Sequence, residues 1–128
     1  MSYGFFKVLN EDFDKVEEQV RTSLIKNGFG VVTEIDVSQT FKNKLNIDFK
    51  PYKILGACNP HYAHQALLKE SNIGLLLPCN VIIEDNLDGT VKVGAIDAEK
   101  MLGITGQTDL SEFAKEVNDL LINSLENL

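Results

Sequence analysis

Two apolar runs in the middle of the chain end in the same step, and this recurrence restricts the fold more than any other feature. Tyr52-Lys53-Ile54-Leu55-Gly56-Ala57 leads into Cys58-Asn59-Pro60, and Ile73-Gly74-Leu75-Leu76-Leu77-Pro78 leads into Cys79-Asn80. Both cysteines, both histidines and two of the three prolines fall between Tyr52 and Asn80. Asn59-Pro60 has the chemistry of a helix start, because Asn can accept from free first-turn amides and Pro is pre-set for the first helical position. A helix from Pro60 to about Lys69 would bury Ala63, Ala66 and Leu67. The segment therefore reads as strand, helix, strand.

The flanking sequence supplies the rest of a layered domain. Tyr3 to Leu9 reads as a strand. Asn10 can cap a helix from Glu11 to about Lys26 that places Phe13, Val16, Val20 and Leu24 on one face and stops at Asn27-Gly28. Gly30 to Val37 alternates as a strand, and Gln39 to Leu45 reads as a short helical turn after Ser38. A long fourth strand is expected from Ile73 to Glu84, bulged or bent at Pro78, which cannot donate to a ladder. Asp88-Gly89 signals a hairpin turn into a fifth strand, Thr90 to Ile96. Gly103 to Gly106 reads as a loop, with no strand before it as a phosphate loop would need. Asp109 or Ser111 can cap a last helix burying Phe113, Val117, Leu120, Leu121 and Leu125. The fold class is α+β, a single twisted sheet of about five strands covered by helices, in one domain spanning residues 1–128.

A ten-residue helix is about 15 Å long, enough to carry the chain back along the third strand. The fourth strand is then expected to run parallel to the third through a right-handed crossover. Cys58 and Cys79 each lie six residues beyond the start of their runs, so both would finish at the same end of the sheet. Cys58 would stand beside a helix N-terminus, where free amides favour a thiolate, a phosphate or a carboxylate. Cys58, Asn59, Cys79 and Asn80 are the candidate ligand-binding residues. The alternative is that both cysteines are small apolar core residues, since free cysteine is among the most buried types.

His61 and His64 complete a Cys-x-x-His-x-x-His spacing on one helix face, to which Cys79 could add a fourth metal ligand. The spacing is a weak metal signal, because zinc sites usually draw paired ligands from both ends of a motif, and solvent-facing histidines fit it better. Glu34, Asp36 and Asp48 read as a solvated acidic face. With two histidines and no orienting partner for either, no Ser-His-Asp arrangement can be assembled.

Nineteen acidic residues against twelve basic ones give a net charge of −7, which repels a polyanion, so nucleic acid is not an expected partner. No apolar run approaches the roughly 20 residues needed to span a membrane. Met1 to Lys7 has neither a basic lead nor an apolar signal core, which points to the cytoplasm, where two cysteines are more often thiols than a disulfide.

The Gly28-Phe29-Gly30-Val31, Ile35-Asp36-Val37 and Lys44-Leu45 steps, the run from Tyr52 to Pro60, Ala63, Ala66-Leu67, and the run from Ile73 to Asn80 together resemble the "domain of unknown function 302" family of bacteria and archaea. The resemblance covers about Tyr3 to Leu102 and is carried chiefly by two Cys-Asn motifs agreeing in spacing and context. It implies an α+β fold like the TATA-binding-protein superfold, with a curved antiparallel or mixed sheet and helices on one side. It implies no DNA binding, and it transfers no activity and no cofactor.

Three functions stay open in this order. The first is a small-ligand or anion-binding module at the two Cys-Asn steps. The second is a thiol redox or metal-handling protein using Cys58 and Cys79. The third is a structural protein assembling as a homodimer through a sheet edge or helix face.

Overall fold

The computed structural model describes residues 2–128. Five strands form one sheet: β1 (Gly4–Leu9), β2 (Gly30–Asp36), β3 (Tyr52–Cys58), β4 (Cys79–Asp85) and β5 (Val91–Ile96). Their order across the sheet is β1-β5-β4-β3-β2, and every neighbouring pair is antiparallel. The helices are α1 (Phe13–Lys26), α2 (Val37–Leu45), α3 (Pro60–Lys69), α4 (Ala98–Gly103) and α5 (Ser111–Glu126). The α+β class and the single sheet are as the sequence predicts.

One face of the sheet is covered. Leu55, Val81, Ile83, Val91, Val93 and Ala95 meet Val16, Val20 and Leu24 of α1 and Ala114, Leu121 and Leu125 of α5 in one continuous core. These helix positions recur every three or four residues, so each helix buries one stripe and solvates the rest. The helices are tied to each other as well: the Ser23 hydroxyl donates to the buried Ser124 carbonyl at 2.6 Å. Asp12, two residues after the expected cap, starts α1 by accepting from the Lys15 amide at 2.8 Å. Gly28 closes it at φ +87°, a conformation that side-chain-bearing residues rarely adopt.

The connection from β3 to β4 corrects the expected topology. Residues Ser71–Leu76 form a 3₁₀ helix, and β4 begins only at Cys79, after Pro78. The apolar run is thus used for the return, which brings the chain back to the end of the sheet it left. The fourth strand then descends antiparallel to the third, with Ala57 opposite Cys79 and Gly56 opposite Asn80. A proline has no amide to give the ladder, which accounts for the strand starting beyond it.

On the other face of the sheet Glu84 bridges Lys50 and Lys92, the latter at 2.8 Å directly across from it on β5. The hydrogen bond from Lys50, then that from Lys92, holds the Glu84 carboxyl below its usual range. Since the folded-state value is the lower one, the stabilisation is present above the unfolded value of 4.5 and is lost as pH falls through the folded value. Urea midpoints are expected to hold from neutrality down to about pH 5 and drop below it, less steeply in Glu84→Gln.

Candidate functional site

A pocket of about 280 Å³ opens at the end of the sheet where β3 stops and β4 starts. Ala57 and Cys79 form its floor with Phe29 and Ile73, and α3 covers one side with Tyr62, Ala63 and Ala66. The opposite wall is Ala98, Met101 and Leu102 of α4 with Phe113 and Val117 of α5. The Tyr62 and Phe113 rings meet edge to face across it, their centroids 6.5 Å apart. The wall is almost wholly carbon and sulfur, as in pockets that take apolar ligands.

Three of the four predicted residues line this pocket: Cys58, Asn59 and Cys79. Because Cys58 sits one position beyond the Ala57–Cys79 pair, the two cysteine Cα atoms are roughly 6 Å apart by strand spacing. The two strand ends therefore meet, through an antiparallel return and a later strand start, but by alternation Cys58, which follows core-facing Ala57, lies on the face of the sheet opposite Cys79. Cys79 is buried, and burial first, then the charge of neighbouring Cys58, pushes its thiol up to about 11. Cys58, the last residue of β3, is half-buried.

Asn80 departs from expectation. Successive strand residues point to opposite faces, so with Cys79 directed into the core Asn80 is exposed on the far side, opposite Gly56. The rule of alternation was available from the sequence; a site containing both Cys79 and Asn80 side chains conflicts with it.

Asn59 occupies the N-cap position of α3, but its side chain makes no capping hydrogen bond among the described residues. Its amide nitrogen instead lies 3.1 Å from where a Cβ on Gly28 would be, so the glycine makes room for it. With Pro60 lacking an N–H, the first-turn amides of His61 and Tyr62 are left without a side-chain cap.

His61 and His64 are exposed on α3, and His61 Nε2 lies 2.9 Å from the Gln65 side-chain nitrogen. Among the described residues no three His, Cys, Asp or Glu side chains gather as a ligand set, so the Cys-x-x-His-x-x-His spacing does not close around one point. The Lys53–Glu17 and Arg21–Glu34 pairs lie on α1, β2 and β3, away from the pocket. Burial alone would raise the Glu17 carboxyl, but hydrogen bonds from Lys53 and Arg21 outweigh it and hold it down.

The α4 wall was missed by sequence reasoning. Its signal is Asp97, whose carboxylate accepts from the Glu99 and Lys100 amides as a helix cap. Asn118 of α5, itself buried, donates to Asp97 and accepts from the Ala98 amide, which fixes α4 against α5.

An α+β domain with an apolar pocket beside paired Cys-Asn steps is the class that fold and site define. The family model described as "Domain of unknown function DUF302" matches residues 6–128, and the chain belongs to that family. It is also similar to the crystal structure of an uncharacterized conserved DUF302 protein from Bacillus stearothermophilus, at 26% identity and a TM-score of 0.91, over 99% of this chain and 98% of that one. No curated protein matches it. No helix of the described residues is long and apolar enough to cross a membrane.

Proposed function

We propose that this domain binds a small, mainly apolar molecule in the pocket at the Cys58–Cys79 end of the sheet, with an anionic head at the start of α3. The observation that carries the reading is the pocket itself, about 280 Å³ of space walled by Phe29, Ala57, Ile73, Met101 and Phe113. Water gains little hydrogen bonding from such walls, so an apolar body displaces it favourably. The uncapped amides of His61 and Tyr62 supply the polar end, because a helix N-terminus favours negative charge. A short-chain carboxylate has this shape and charge.

Native mass spectrometry of the untagged protein should show a retained small molecule. Straight-chain carboxylates of increasing length should displace an apolar fluorescent probe, with an optimum length. Ala63→Phe, which fills the pocket, should abolish displacement while leaving the melting temperature nearly unchanged. Probe binding undiminished in Ala63→Phe would reject the pocket as the site.

The closeness of the two cysteines favours thiol chemistry as the second reading. A buried thiol at about 11 reacts slowly at neutral pH, so iodoacetamide should label Cys58 first and Cys79 only on unfolding. Equal labelling of both in the folded protein would contradict the burial argument. Redox work at the pair would appear as loss of both free thiols on mild oxidation without loss of fold.

A further inference from the structure

The face of the sheet turned away from α1 and α5 carries an uninterrupted apolar row. Phe6 pairs with Gly94, Gly94 with Ile82, Ile82 with Ile54 and Ile54 with Ile35, crossing all five strands. An antiparallel sheet with one solvated face normally alternates apolar and polar residues along each strand. Here the solvent positions of the central row are apolar instead, and Phe6 and Ile35 at its two ends are 54% and 48% exposed. Phe6 lies flat on the sheet, because Gly94 leaves room for its ring: a Cβ there would sit 2.8 Å from Phe6 Cδ1. The row beside it is Val8, Lys92, Glu84 and Tyr52, and Val8 is also half-exposed.

We propose that this open face is the interface of a homodimer, two sheets stacked face to face about a two-fold axis near Ile82. Ile82 lies on β4, the middle strand, so such an axis lays the apolar row of one copy across that of the other. Packed sheets stand about 10 Å apart, a gap that side chains of this size fill.

Charge selects a second copy over a charged partner. The chain carries −7, yet Glu84 is the one acidic residue at the strand positions of this face, and Lys50 and Lys92 neutralise it laterally. With one Glu against two Lys, this face carries no net negative charge to oppose the approach of a second acidic copy. The area also fits. Five strands about 4.8 Å apart and six residues long cover roughly 500 Å² in projection, and more as accessible surface. Phe49, its ring 6.4 Å from that of Tyr52, extends the patch beyond β3. This approaches the roughly 800 Å² per partner of a specific interface.

Sedimentation velocity across the micromolar range should give a particle of twice the 14.2 kDa chain mass. The double variant Phe6→Glu/Ile35→Glu should sediment as a folded monomer, and Leu68→Glu, at a more exposed apolar site on α3, should remain dimeric. Should the charged variant fail to fold, Phe6→Ala/Ile35→Ala adds no charge and should raise the dissociation constant at least about tenfold. A monomer at every concentration overturns the proposal, as does a dimer that neither face variant weakens.

Discussion

Leu121→Ala should lower the stability of this domain by about 2–5 kcal/mol. Leu121 lies on the buried stripe of α5, has no exposed surface, and packs in the core formed by the sheet and α1. Its removal leaves a cavity between layers that are each fixed elsewhere. β4 and β5 are tied by their ladder, and α1 and α5 by the Ser23–Ser124 hydrogen bond, so the site cannot collapse cheaply. Urea unfolding checks it: the midpoint should fall with an unchanged slope. A loss below about 1 kcal/mol would mean that α5 tilts to fill the space.

Gly56→Val should be of similar size for the opposite reason. A Cβ at Gly56 would lie 2.1 Å from the Thr33 hydroxyl and 2.6 Å from Pro78 Cγ. Thr33 can rotate away, but the proline ring cannot, and Pro78 is the residue that leads the chain into β4. Overpacking of this kind costs about 1–3 kcal/mol, and a displaced strand start adds to it. Thermal melts measure the cost, and Gly56→Ala should already show most of it. The same variant should weaken binding of the apolar fluorescent probe if the proposed pocket takes it, because Pro78 and Cys79 both line that pocket. Unchanged stability in Gly56→Ala would show that the approach of Pro78 is slack.

Most of the frame was readable from residue pattern. β3 and α3 fall where the apolar run and the Asn59-Pro60 start put them, and Leu121, Val117 and Leu125 are buried as their spacing requires. What could not be read was the partner of each element. Ile73 to Leu76 has the composition of a strand, and only tertiary packing, with Ile73 buried against α3 and α4, makes it a 3₁₀ turn. Strand direction followed from that one segment, so the parallel expectation failed with it. Cys58 and Cys79 come close by a route other than the expected one: matched offsets on parallel strands were to place both at finishing ends, whereas Cys79 begins β4 and lies across an antiparallel pair from Ala57. The face on which Asn80 points depended on where β4 begins, which an apolar run containing a proline does not mark. The pocket's second wall comes from α4 and α5, distant in sequence, and no local pattern links those helices to the cysteines.

Between Cys58 and Cys79 the chain makes what is formally the loop of a hairpin, since β3 and β4 are antiparallel neighbours. That loop supplies α3, the 3₁₀ turn and one side of the pocket, yet it contributes nothing to the ladders. Loop closure costs grow slowly with length, about 0.6 kcal/mol per doubling. Scaffold and cavity wall are therefore separable: segments of other lengths grafted between these two positions should keep the sheet in register while presenting a different cavity.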